Sequence, residues 1–281
     1  MNDGILILDK DSGVTSRQVD NQVGRLFSTR HVGHLGTLDP FATGLLIVGV
    51  GKGNKFLPYL SDGRKTYIAS LKLGIATDSG DLTGKEIARE PIPRLTDKEI
   101  AATLQDFVGK SLQIPPMTSA IKVGGEALYK KARRGEEIER KPREIEVFEI
   151  AMLLRLGSRV DFLVSVSAGT YIRVLGEDIA KRLGTIGHLL ALRRIKVGNI
   201  DIRAAKKLSH LSNDDLLEPS PYVELPRIEV DEQGRSRVLN GMKMKLSSNE
   251  GKVLLTYEGV GLAVYAYRPE DGYYHSLRGL F

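Results

Sequence analysis

The chain has 281 residues, 41% hydrophobic and 27% charged, with a net charge of +6 and no cysteine. A globular chain of this length buries a core without staples, and the lack of cysteine excludes disulfides, thiolate nucleophiles and cysteine metal sites. The positive balance favours a polyanionic partner, while no apolar run approaches the ~20 residues that span a membrane and the N-terminal run is too short for a secretory signal, so a cytoplasmic location is expected.

Residues 4–8 (GILIL) read as a short buried strand. Thr15 or Ser16 can cap the helix that follows, where Val19, Val23 and Leu26 recur at helical spacing. Residues 33–44 (GHLGTLDPFATG) have no clean period and contain Pro40, so they read as a loop; residues 45–50 behind them read as a strand or buried anchor. Residues 65–73 (KTYIASLKL) form a strand with Tyr67, Ala69, Leu71 and Leu73 on one face. TDSGDLTG (77–84) is a polar turn. Thr96 and Glu99 make a capping box for a helix from about Asp97 to Phe107, with Gly109 as its C′ residue. Residues 162–167 read as a strand, and residues 172–183 as a helix with Ile172, Leu175, Ile179 and Leu183 on one stripe. Irregular interleaving of strands and helices predicts an α+β fold with a mixed sheet. Composition shifts near residues 213–226. Beyond them, residues 253–257, 262–267 and 273–277 read as short strands of a small C-terminal β module.

Asp39 lies in the glycine-flanked loop, where backbone can approach a ligand closely, although Asp-Pro also simply initiates turns. His34, five residues earlier, is compatible with acid–base chemistry, a metal fragment or a polar loop contact. Metal binding needs further ligands, and the five histidines are scattered. Tyr67 on its strand reads as packing unless a ligand meets it. Arg173 at the start of an apolar helix is poorly placed for the helix dipole, so a carboxylate or phosphate partner competes with a plain surface position. Two basic stretches stand out. Residues 122–143 hold eight Lys/Arg and four Glu, together with Tyr129; residues 193–207 hold six Lys/Arg and one acid, Asp201. The second, being one-sided, suits phosphate contacts better. GVGKGNK (49–55) fits neither phosphate-loop nor dinucleotide spacing. A noncatalytic RNA-binding protein and a metal-dependent hydrolase using Asp39, Asp78 and Asp81 are the competing classes.

GHLGTLDPFATGLL (33–46) closely resembles the catalytic loop of the bacterial tRNA pseudouridine-55 synthases of the TruB type. GILILDKDSGVTS, KTYIASLKLGIATDSGDLTG, PPMTSAIKVGGEALYKKARRG, SAGTYIRVLGEDIAKRLG and HLLALRRIKVG extend that resemblance over most of residues 4–200; the C-terminal module is similar, more loosely, to the family's PUA-like domain. The resemblance implies an α+β, mixed-sheet catalytic domain over 1–222 with an RNA-binding insertion at about 115–143, and a small β-barrel-like PUA-type domain over 223–281. It implies isomerisation of uridine 55 in the T-loop of tRNA to pseudouridine, by base flipping and without cofactor or metal, alongside assistance to tRNA folding; action on another RNA is the near alternative. A monomer needing no protein partner and acting on the tRNA T-arm is expected. By the same resemblance Asp39 is the catalytic aspartate, Tyr67 stacks on the target base and is the candidate for C5 deprotonation, and Arg173 pairs with the aspartate. His34 contacts RNA beside the flipped uridine, while Tyr171 and Leu192 line the uridine pocket. The sequence departs from the family pattern at Asp11, where proline usually follows Asp-Lys.

Overall fold

The apolar run at residues 4–8 forms β1 (Gly4–Lys10) in the computed structural model, which describes residues 3–61, 63–119, 121–128, 131 and 134–281. Helix α1 (Ser16–Leu26) and strands β2 (Val32–Leu35) and β3 (Thr43–Val50) follow, and β3 pairs antiparallel with both β1 and β2. Ile5, Ile7, Leu45 and Ile47 point into one core; Leu6, Leu8, Leu46 and Val48 point into another. Burial on both faces explains why these strands read as unbroken apolar runs. Of the two candidate caps, Thr15 is the one used, in a capping box with Gln18. Val19 and Val23 of α1, with Phe27 beyond it, then cover the second face.

The expected loop over 33–44 begins only after Leu35. A glycine, Gly33, and a short length hide the strand period of β2, and pairing with β3 (His34 opposite Val48) makes it a strand.

The middle of the chain supplies β4 (Lys65–Leu73), β5 (Ile75–Thr77), β6 (Glu86–Arg89), α2 (Asp97–Gln105), β7 (Gly109–Gln113), β8 (Lys122–Val123), β9 (Glu126–Ala127), β10 (Arg143–Leu156), β11 (Arg159–Val166), α3 (Ile172–Arg182) and β12 (Gly187–Val197). Five of the strands lie in the order β12-β4-β11-β10-β7, with β4–β11, β11–β10 and β10–β7 antiparallel. The face expected for β4 is buried: Tyr67, Ala69, Leu71 and Leu73 are all under a tenth exposed. The Thr96–Glu99 capping box opens α2 as expected, but the helix stops at Gln105. Gly109, at φ +109°, starts β7 and does not terminate the helix. Gly176 lets α3 approach the sheet closely, because a Cβ there would meet Leu189 at 2.9 Å.

After β13 (Ile200–Asp201) and a run of short 3₁₀ turns come β14 (Arg227–Glu229), α4 (Glu232–Leu239), β15 (Lys252–Tyr257), β16 (Val260–Arg268) and β17 (Tyr273–Gly279). Their sheet has the open order β14-β15-β16-β17, with β14 parallel to β15 and the other pairs antiparallel. Helix α4 has no counterpart in the sequence reading. Only Gly234 and Val238 of its eight residues are buried, so it carries no apolar stripe.

The chain divides into two compact units, one of Met1–Pro40, Gly44–Asp62 and Val197–Phe281, the other of Phe41–Thr43 and Gly63–Lys196. In the first, Leu254, Val264 and Leu280 join the same core as Ile5 and Ile7. Among the described residues no helix is long and apolar enough to cross a membrane.

Candidate active site

Asp39 sits in the connection between β2 and β3, and the loop is fastened on both sides of it. The buried Ser16 hydroxyl accepts from the Leu38 N–H (2.9 Å) and lies 3.2 Å from the Leu38 carbonyl. On the other side the Pro40 carbonyl accepts from the Gly13 N–H at 2.8 Å. The ammonium of Lys10, only 2% exposed, donates to the carbonyls of Val14 (2.7 Å), Asp11 (2.9 Å) and Pro40 (3.4 Å). These three carbonyls supply acceptors to the buried ammonium. Asp39 is thus held partly exposed between two anchored neighbours. Asp11, the departure from the family pattern, pairs with Lys207 at 2.6 Å.

His34 is on β2, where its Nδ1 lies 2.8 Å from the buried carboxylate of Asp20 and its Nε2 lies 3.1 Å from the Thr37 hydroxyl. The carboxylate accepts only, so in the neutral ring Nδ1–H donates to Asp20 and Nε2 accepts from Thr37. Asp20 therefore fixes the tautomer and plane of His34. Asp39 and His34 both belong to the first compact unit.

Tyr67, Tyr171, Arg173 and Leu192 belong to the second. Tyr67 is 7% exposed on β4, opposite Val164 of β11. Lys65 shares its face of the strand; burial, and then the charge of Arg194, push its ammonium down to about 8. Leu192 is buried on β12. Tyr171 is the N-cap residue of α3, without a capping side chain of its own. Gln113, at the end of β7, does that work: its Oε1 accepts from the Tyr171 N–H (2.8 Å) and its Nε2 donates to the Tyr171 carbonyl (3.1 Å).

Arg173, 3% exposed in the first turn of α3, donates to the Ser79 carbonyl (2.7 Å), the Thr118 hydroxyl (2.5 Å) and the Thr118 carbonyl (3.0 Å), with Asp81 3.9 Å from its Nε. It is buried and bonded, not a surface arginine. Asp81 also accepts from the Thr83 N–H (2.9 Å) and the Thr83 and Ser79 hydroxyls, while Asp78 accepts from the Lys85 N–H. These two carboxylates organise the turn between β5 and β6. Among the described residues no group of three or more His, Asp or Glu side chains is arranged to hold a metal ion.

The sequence reading missed Asp20, Gln113 and Thr118. Asp20 was hidden as a polar position inside an amphipathic helix. Gln113 could have been noticed as a polar residue ending a strand just before the Pro115-Pro116 pair. The second basic stretch, expected to meet phosphates, is partly neutralised internally: Arg203 pairs with Asp201, Lys206 with Asp215, and Lys207 with Asp9 and Asp11. In the first stretch Arg134 is held by Glu126 and Glu136; Tyr129 lies outside the described residues.

Residues 24–172 match the family model described as TruB family pseudouridylate synthase (N terminal domain). The chain is 39% identical over 260 residues to the tRNA pseudouridine synthase B of Hydrogenovibrio crunogenus, covering 91% of this chain and 86% of that one. It is 38% identical over 284 residues to the tRNA pseudouridine synthase B of Oceanobacillus iheyensis, covering 95% and 94%. Its fold is similar to that in the crystal structure of a Cbf5–Nop10–Gar1 complex, with a TM-score of 0.77 at 22% identity over 99% of this chain and 85% of the other. With the loop motif, the fold and relatives near 40% identity over almost its whole length, the chain belongs to the TruB family of pseudouridylate synthases.

Proposed function

We propose that this chain isomerises uridine 55 in the T-loop of tRNA to pseudouridine, with Asp39 as the catalytic carboxylate. The observation that carries the reading is the GHLGTLDPFATG loop, in which Asp39 stands between a Leu38 tethered to Ser16 and a Pro40 tethered to Gly13 and Lys10. Relatives spanning nearly the whole chain and named tRNA pseudouridine synthase B support tRNA as the substrate.

The reaction breaks N1–C1′, turns the uracil and joins C5 to C1′; the C5 proton leaves and N1 takes one up, so no redox partner is consumed. A carboxylate serves as nucleophile at C1′ or C6, or as base at C2′. Each role needs ionised Asp39, and Arg173 is proposed as the cation that keeps it so. The base must leave the RNA stack first, at a cost of a few kcal/mol. Stacking on Tyr67 returns about 1–3 kcal/mol, and His34, with its ring fixed by Asp20, fills the vacated space. Tyr171 and Leu192 line the uracil pocket, with the Tyr67 hydroxyl near C5. Residues 115–143 and the C-terminal PUA-like module from residue 223 hold the RNA by its shape and phosphates. Opening and re-forming the T-loop also fits assistance to tRNA folding.

Tritium release from C5-labelled uridine in an unmodified tRNA transcript tests this, with EDTA present and Asp39→Asn alongside. Stoichiometric release by wild type, reduced at least ~10³-fold in the variant at unchanged RNA affinity, is expected. Folded wild type that binds the transcript without releasing tritium would remove the reading.

A further inference from the structure

Helix α1 carries two stripes. Val19 and Val23 face the core. Residues 17, 20, 21, 24, 25 and 28, at helical spacing, line a groove of about 570 Å³ that the turn at 28–30 closes from the other side. The groove is built. Gly24 is the residue that lets the turn fold back, since a Cβ there would meet the Thr29 carbonyl at 2.8 Å, and the Thr29 N–H donates to the Gly24 carbonyl at 2.9 Å. Ser28 holds a left-handed backbone, φ +51°, to make the reversal.

Three arginines rim this groove: Arg17, Arg25 and Arg30. Asp20 is the one carboxylate in its lining; it is 2% exposed, bonded to His34, and lies 3.6 Å from Arg17. Among the described residues neither Arg25 nor Arg30 has an ion-pair partner, and both are exposed. Arg25 in the last turn of α1 suits the helix dipole, but the dipole accounts for one arginine and not for three around a single depression. The contrast with residues 201–207, whose cations are engaged by Asp201, Asp215, Asp9 and Asp11, is direct.

We propose that this groove is a phosphate-binding site for the backbone of the substrate RNA, engaging it beside His34; the inference rests on the tRNA reading above. Arginine forks suit phosphate oxygens in a bidentate mode, and Asn21 adds an amide donor at the wall. The Asp20 carboxylate joins groove and site: one end of the network is Arg17 at the rim, the other the His34 ring at 2.8 Å. A strand seated on the arginines is thereby registered against the imidazole.

The test is tRNA binding by the full chain across a salt series, comparing wild type, R25Q/R30Q, R30Q alone and R94Q/K98Q. The last removes the same net charge from exposed positions elsewhere. Each lost phosphate contact flattens the log–log salt dependence by roughly 0.7–0.9. R25Q/R30Q should lose about 1.5 of slope and bind about tenfold more weakly; R30Q should show about half of this, and R94Q/K98Q none. Slope and affinity equal to wild type in R25Q/R30Q would overturn the site, as would an equal loss in R94Q/K98Q. Binding is read without turnover, so failure of wild type to release tritium would fault the tRNA reading separately.

Discussion

At the scale of single residues, Lys65 shows what burying an ammonium beside a second cation costs. Its ammonium is pushed down to about 8 from 10.5, by burial first and by Arg194 second. Below about pH 8 the folded and unfolded states both hold the proton, and the penalty of burying it is fully present. Between about 8 and 10.5 the unfolded chain keeps the proton that the folded chain has released, so this group's contribution to stability rises with pH. Lys65→Met should therefore be more stable than wild type near pH 7, and its advantage should shrink towards about pH 10. Urea unfolding of both proteins over that range reads the difference; an advantage independent of pH would show that the lysine does not titrate there. The same scale accounts for what was hidden at His34. A histidine five residues from Asp39 left several roles open, and only the 2.8 Å contact to Asp20 assigns its ring a fixed orientation.

At the scale of elements, the base of the proposed insertion at 115–143 is tied to the start of α3. Gln113 holds both backbone groups of Tyr171, and Thr118 takes two donors of Arg173. The helix thus receives its N-terminal support from the strand β7 and the turn after it, not from a capping side chain of its own. Gln113→Ala leaves the Tyr171 N–H without its acceptor and should cost about 1–3 kcal/mol. Urea unfolding measures the cost, and tritium release should fall mainly in kcat, since Tyr171 and Arg173 shift together. A loss confined to RNA affinity would mean that the clamp serves the insertion alone. The local signals in this region were partly legible. The capping box at Thr96 is satisfied within four residues, so it reads directly from the sequence, whereas the sequence left Thr15 and Ser16 both open as caps of α1. The true end of α2 was not legible, because Gly109 serves a strand partner, β10, dozens of residues away.

At the scale of the molecule, the first compact unit joins the beginning of the chain to its end. Leu254 of β15, Val264 of β16 and Leu280 share a core with Ile5, Ile7, Leu45 and Ile47. Leu254→Ala should cost about 2–5 kcal/mol, and it should speed amide exchange in β1 and β3 together with β15, because one core stabilises all of them. Exchange accelerated only beyond residue 223 would make the C-terminal module an independent folding unit, along the boundary expected from composition.

The sequence alone determined the α+β class, the faces of β4 and α3, and the loop motif whose resemblance names a family and a carboxylate. All of these are local periods, caps or contiguous residues, which need no partner to be read. Tertiary structure decided that residues 32–35 pair as a strand, that Asp20 orients His34, that Gln113 supports Tyr171, and which basic residues carry internal partners. The reason is physical: a hydrogen bond or ion pair between residues far apart in the chain leaves no period behind it, and only the folded backbone brings its two halves within 3 Å or so.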